Sequence, residues 1–241
     1  MLQSRYKNDT LIECGVDEAG RGSLWGPFYA GAVIWKDEHT WDDELKKLSQ
    51  EIKDSKKISA KKRERIYDDI LKHAKAYGVG VVTSQEIDAW GMTKANRTAF
   101  ERAIANLQVN PQRILIDGCL AIESPLEQVV EPELDNTYIC VAAASIIAKV
   151  SHDRAIMELV KKEPELQGKY DLENNKGYGT LKHRNGILKH GKHNLHRNLF
   201  LRKLLGNSQS TGSQYSITSE LLCVNNKSNN THVTTCAFLE D

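Results

Sequence analysis

Four carboxylates in this chain stand where a backbone can gather them. Asp17 closes an alternating apolar run over residues 11–17, Glu18 follows directly, Asp117 closes the buried run RILID, and Asp153 sits on an apolar helical stretch. Side chains alternate across a strand, so Asp17 and Glu18 face one site only if the chain turns here, and Gly20 and Gly22 in DEAGRG supply that freedom. A lone acid at a strand tip serves as readily as a turn former or a helix cap. Four together repel one another unless hard cations lie between them, and oxygen-rich sites of this kind suit Mg²⁺ or Mn²⁺. Two such ions about 4 Å apart activate a water and stabilise the departing oxygen of a phosphodiester. Zinc chemistry is the poorer fit, since the sequence has no HExxH pattern and no CxxC pair.

The charge distribution points to a partner for such chemistry. The formal net charge is +1, yet the segment 174–205 holds Lys176, Lys182, Arg184, Lys189, Lys192, Arg197, Arg202 and Lys203, four histidines and no acid. It is a candidate phosphate-binding surface, although a basic run taken alone also reads as a solvated helical face. From residue 207 the composition turns to Ser, Asn, Thr and Gln, and 207–241 is expected to be a disordered polar tail with no evident partner. Without its net −2, the rest of the chain stands at +3.

The 241 residues and 40% hydrophobic content suit one domain with a real core, placed at 1–206, with the tail as its appendage. Cys14, Cys119, Cys140, Cys223 and Cys236 are scattered and are expected to be buried thiols of a reduced protein. With no apolar leader at the N-terminus and no membrane-length apolar run, the expected location is the cytoplasm.

The elements that must carry the carboxylates alternate along the chain. Residues 11–17 read as a strand with Ile12, Cys14 and Val16 on one face, and 28–35 as a second apolar strand. Ser59 opens an amphipathic helix to about residue 76, with Ile58 as a staple and Ile66, Ile70 and Leu71 inward. A third strand follows at 77–83, then helices at 84–90 and 93–107, the second with Ala95, Ala99, Ala103 and Leu107 at helical spacing. The run 113–117 is a short buried strand and 141–162 a long helix, on which Ile146, Lys149 and Asp153 share one side. After Gly177 the basic segment is helical in pieces.

The motifs themselves carry a resemblance. GVDEAGRGSLWGP at residue 15, DSKKIS at 54, LIDG at 115, AAASIIAKVSHD ending at 153, GYGT at 177 and HRNLF at 196 are similar, in order, to the signature motifs of type 2 ribonucleases H. They span most of residues 12–205. His152 departs from the pattern, standing where an arginine usually precedes the last aspartate.

The resemblance implies an α/β, ribonuclease H-like fold: a mixed five-stranded sheet flanked by helices, with a small helical C-terminal region from about residue 177. It implies that Asp17, Glu18, Asp117 and Asp153 bind two Mg²⁺ or Mn²⁺ ions. Gly20, Arg21 and Gly22 would read a ribose 2′-hydroxyl through backbone groups, Tyr178 would complete the site against the next sugar, and Lys56 would contact phosphate. His183 and Arg197, with His193 and His196, fit either phosphate binding or packing.

The implied substrates are RNA/DNA hybrids and duplex DNA with embedded ribonucleotides, cut on the 5′ side of the ribonucleotide to leave 3′-hydroxyl and 5′-phosphate ends. A monomer is implied. The type 3 relatives carry an extra N-terminal domain, whereas sixteen residues precede Asp17 here. Two other readings are a ribonuclease H-fold nuclease of different substrate preference, which needs neither DEAGRG nor GYGT, and a noncatalytic nucleic-acid binder, which needs no carboxylate cluster.

Overall fold

The first strand, ECGVDEA, is buried along almost its whole length, and a Cβ added at Gly15 would meet the backbone of residues 140 and 141 at 2.3 Å. The computed structural model describes residues 2–206, and in it β1 (Glu13–Ala19) is the middle strand of five in the order β3-β2-β1-β4-β5. On one side β2 (Phe28–Ile34) pairs antiparallel with β1 and β3 (Ala76–Val82) antiparallel with β2. β4 (Arg113–Asp117) and β5 (Glu127–Glu131) lie parallel on the other. The mixed five-stranded sheet expected of a ribonuclease H-like fold is therefore present.

Helices cover both faces. On one lie α1 (Asp43–Glu51), α2 (Ala60–His73) and the long α5 (Ile139–Lys162). On the other are α3 (Ser84–Trp90) and α4 (Met92–Ala105), where Ala95, Ala99 and Ala103 are fully buried against Cys14, Val16 and Phe28. Close approach is enforced by glycine: a Cβ added at Gly31 would meet the Ala144 carbonyl oxygen at 2.3 Å, so the α5 backbone rests directly on the sheet. Local signals agree with these positions. Ser59 caps α2 through the Lys62 amide, and Thr83 with Glu86 forms a capping box on α3, each cap worth about 1 kcal/mol.

A third apolar cluster builds the C-terminal region. The second half of α5 gives Ile156 and Val160, and α6 (Glu165–Tyr170), α7 (Leu172–Asn175), α8 (Leu181–His190) and α9 (Asn198–Leu205) close over Trp25. This region is stitched to the loop after β1 by isolated bridges Ser23↔Tyr178 and Trp25↔His196.

Two sequence expectations are corrected. Cys14 and Cys140 are buried, but Cys119 is exposed, because it follows the tip of β4 and no element covers it; Cys223 and Cys236 lie outside the described residues. Glu18 and Ala19 remain in register with β2, so the turn comes at Gly20 and not at Asp17. The expected tail, 207–241, also lies outside the described residues. Among the described residues no helix is long and apolar enough to cross a membrane.

Candidate active site

Parallel pairing does the first part of the assembly. Val16 of β1 is paired with Ile116 of β4, so Asp17, two residues short of the end of β1, falls beside Asp117 at the end of β4. The chain then runs along β5 and reverses at Glu133, in left-handed conformation at φ 67°, into a 3₁₀ turn, Leu134–Asn136. The Leu134 amide donates to Asp117 Oδ1 at 3.0 Å, fixing that turn over the strand tip. Asp135 is thereby carried in. Asp17, Asp117 and Asp135 each place a carboxylate oxygen so that all lie within 4.8 Å of one another.

Burial and crowding act on all three in the same direction. The Asp17 carboxyl is held well above its usual range by burial, then by the charges of Glu18 and Asp117. Burial also raises Asp117, against the backbone amides that favour its ionised form. Asp135 is pushed up to about 6 by burial and by Asp117 and Asp54. Ionising such a set is costly unless positive charge is supplied. An all-oxygen, all-carboxylate donor set of this size fits a hard divalent cation, and thiolate or imidazole metals fit it poorly.

Neighbours extend the cluster. Glu18 lies close enough for its charge to act on Asp17 and to feel that of Asp117, and it stands beside the buried Asn96 of α4 with the exposed Arg21 guanidinium 3.6 Å away. Burial, followed by opposing help from Arg21 and Asn96, leaves its carboxyl raised. The exposed Lys56, in the 3₁₀ turn Ser55–Lys57, feels desolvation but is held above its usual range by Asp17, Asp54, Asp135 and Asp117. Its charge acts on both Asp117 and Asp135.

Asp153 is placed differently from its expected role as the fourth ligand. It is not part of the three-carboxylate group; Lys149 Nζ donates to it at 2.8 Å and His152 Nδ1 lies 2.9 Å away. Burial is outweighed by these two partners, and its carboxyl lies below the usual range. The geometry gathers Asp135 in its stead. Asp135 escaped the sequence reading because ELDN lies in a short irregular segment with no periodicity to mark it; the acid itself, 18 residues after Asp117, was the only signal.

The glycine loop sits beside the cluster. Gly20 has φ +82°, and a Cβ there would meet the His152 ring at 2.5 Å. Gly20 N–H donates to Tyr178 Oη at 3.2 Å, and an added Cβ at Gly22 would lie 3.9 Å from the same ring. Tyr178 is half-buried, with the Lys149 ammonium 5.4 Å from its ring centre. Residues 20–22 and Tyr178 therefore form one surface.

Arg197 and His183 are found inside the protein, not on a phosphate-facing surface. Arg197 is fully buried and donates to the carbonyls of Gly20 at 2.7 Å, Gly26 at 3.0 Å, Pro27 at 3.0 Å and Arg21 at 3.2 Å. Four of its five N–H donors are spent on the loop. His183 is also fully buried, with Nδ1 donating to the Tyr178 carbonyl at 2.9 Å and Nε2 meeting His196 Nε2 at 3.0 Å. His196 Nδ1 accepts from the His193 amide, and His193 Nδ1 from the Trp25 indole. Both are packing residues here. The exposed cations of the region are Lys182, Arg184, Lys189, Lys192, Arg202 and Lys203.

A ribonuclease H-like sheet with carboxylates gathered at adjacent strand tips defines a hydrolase of the metal-binding nuclease class. A family model described as ribonuclease HII matches residues 14–203. The chain is 38% identical over 192 residues to a ribonuclease HII of Caldicellulosiruptor bescii, covering 80% of this chain and 87% of that one. It is 40% identical over 191 residues to a ribonuclease HII of Prochlorococcus marinus, covering 79% and 96%. The crystal structure of the ribonuclease H2 from Pyrococcus horikoshii superposes with a TM-score of 0.65 at 27% identity, over 80% of this chain and 97% of that one. The chain belongs to the ribonuclease HII family and is an endoribonuclease.

Proposed function

We propose that the protein hydrolyses the RNA strand of RNA/DNA hybrids and cuts 5′ to ribonucleotides embedded in duplex DNA, leaving 3′-hydroxyl and 5′-phosphate ends. The observation that carries this reading is the juxtaposition of the Asp17–Asp117–Asp135 group with the loop 20–22 and Tyr178. A carboxylate cluster alone engages phosphate through cations and treats RNA and DNA alike. Discrimination needs groups that reach the 2′ position, and a glycine turn offers backbone N–H and C=O at closest approach.

Asp17, Asp117 and Asp135, with Glu18 at their edge, would hold two Mg²⁺ or Mn²⁺ ions. When bound, such ions supply the charge that activates water and stabilises a leaving oxygen. The chain's own contributions are orientation and electrostatics. Asp17 and Asp117 are fixed by strand register, Asp135 by the turn hydrogen-bonded to Asp117, and Lys56 offers a positive charge to the scissile phosphate. The loop 20–22 would take the 2′-hydroxyl, and the Tyr178 ring would pack on the following sugar. The exposed cations of α8 and α9 would follow the duplex backbone. Residues 1–206 are the proposed catalytic domain.

The test is cleavage of a DNA duplex with one ribonucleotide beside an RNA/DNA hybrid and an all-DNA duplex, with Mg²⁺, Mn²⁺ or EDTA. Cleavage of the first two only, metal-dependent and mapped 5′ to the ribonucleotide, is expected. Cleavage of all-DNA duplex at a similar rate would reject the proposed selectivity.

A further inference from the structure

We infer that Asp88, on α3, is a positioning residue for the loop 20–27, acting through the start of α9 and Arg197. The inference rests on the reading of residues 20–22 as the groups that contact ribose.

The first turn of a helix has backbone N–H groups with no partner inside the helix. Arg197 occupies the cap position of α9 and offers no side-chain bond to it, because its guanidinium is turned inward onto the loop carbonyls. The capping is done from another helix. Asp88 Oδ1 accepts from the Leu199 amide at 2.8 Å, and Oδ2 accepts from the Asn198 amide at 2.9 Å and from Asn198 Nδ2 at 2.8 Å. Three donors at the helix start thus converge on one carboxylate, which also carries the sign that a helix N-terminus favours.

The residue immediately before those donors is the clamp. Arg197 Nε and both terminal nitrogens reach the carbonyls of Gly20, Arg21, Gly26 and Pro27, and each bond has direction. Moving the Cα of residue 197 therefore moves or breaks contacts to both ends of the loop. Burial pushes the guanidinium down to about 10, opposed by Tyr178 and Asp88. Phe200 and Leu201, next along α9, pack into two different apolar clusters and the Arg197 amide donates to the Leu24 carbonyl at 2.8 Å, while the Asp88 carboxylate is the side-chain tie at the helix start. No proposed metal ligand lies on this path.

The test uses the full chain and Asp88→Ala, with Asp88→Glu as the conservative variant that retains two acceptor oxygens. Amide exchange is followed by segment, Mn²⁺ binding by calorimetry, and steady-state cleavage on both ribonucleotide substrates. For Asp88→Ala, exchange should quicken at 20–27 and 198–202 and stay unchanged at 13–19, with unaltered Mn²⁺ affinity. KM for the single-ribonucleotide duplex should rise about tenfold, the scale of one lost cap, with a smaller change in kcat. Asp88→Glu should recover part of both effects. Unchanged exchange at 20–27, or a rise spread evenly over the protein, would overturn the relay. Faster loop exchange with unchanged KM would uphold the relay and reject the assignment of the loop to ribose.

Discussion

Tyr178 and Gly20, 158 positions apart, are joined by one hydrogen bond in which the glycine amide donates to the phenol oxygen at 3.2 Å. The amide proposed to serve a ribose hydroxyl is therefore already matched to an oxygen of similar chemistry. Tyr178→Phe keeps the ring and removes that acceptor, whereas Tyr178→Ala removes both. Ring stacking is worth about 1–3 kcal/mol, so the alanine variant should lose roughly 5- to 150-fold in single-ribonucleotide cleavage. The phenylalanine variant should lose a few-fold. Metal affinity and Tm, measured on the same preparations, should hardly move; unaltered cleavage by Tyr178→Ala would reject the role.

The two candidate fourth carboxylates separate cleanly by substitution. Asp135→Asn removes a charge from the group within 4.8 Å, and Asp153→Asn removes one already matched to Lys149 and His152. We expect Asp135→Asn to lower kcat by at least about 10²-fold, the scale of losing one transition-state charge contact, and to weaken Mn²⁺ binding. Asp153→Asn should leave Mn²⁺ affinity nearly unchanged. The reverse ranking in calorimetry would restore Asp153 as the ligand.

Metal should stabilise the protein more as pH rises. The carboxyls of Asp17, Asp117 and Asp135 are raised in the fold, so their contribution to stability is present below their unfolded values and lost as pH climbs through the folded ones, about 6 for Asp135. Cations reverse that loss. At a hundredfold excess over Kd, binding stabilises by about 2.7 kcal/mol, roughly 5–10 °C in a domain of this size. The Mn²⁺-induced shift in Tm should be clearly larger at pH 8 than at pH 5, and equal shifts would count against the cluster as the binding site.

The buried histidine pair predicts an opposite, acid-sensitive term. Burial, reinforced by His183, lowers His196 to about 3, and burial lowers His183. Their hydrogen bonds require both rings neutral: His183 donates from Nδ1 and accepts at Nε2, while His196 donates from Nε2 and accepts at Nδ1. A lowered histidine contributes stability fully above its unfolded value near 6.5 and loses it as pH falls towards 3, by about 1.4 kcal/mol per unit for one group. His196→Asn keeps an acceptor for the His193 amide without titrating. Between pH 7 and pH 5 in EDTA, its Tm should fall less than that of the parent chain; identical slopes would refute the account.

How much of this was legible before folding depended on periodicity. β4 and α3 match their expected bounds, and β2 and α5 shift by one or two residues at an end, because β2, β4 and α5 are apolar runs with marked ends and α3 opens on a capping box. α1 and β5 were not placed: α1 is rich in charge, and β5 reads EQVVE with exposed ends. Losing β5 also hid the turn that carries Asp135. Asp153 drew attention because it follows an apolar helical run, but a helix face does not say whether Lys149 has already claimed the acid. Arg197 and His183 were offered to phosphate or packing because composition cannot tell a buried cation from a surface one. Only the loop carbonyls converging on Arg197 decide it.

The clamp's place near the end of the domain gives the chain a schedule. Strands β1 and β4 and the turn at Asp135 are all synthesised by residue 136, whereas the loop that follows β1 cannot be fastened until Arg197 has emerged. A domain generally folds as a unit, and α5, whose backbone rests on the sheet, is itself made only from residue 139 onward. A polypeptide stalled between positions 136 and 197 thus carries every proposed ligand while the strap over residues 20–27 is missing. The residues proposed to hold metal and the residue that fastens the loop are thus supplied at opposite ends of the domain's synthesis.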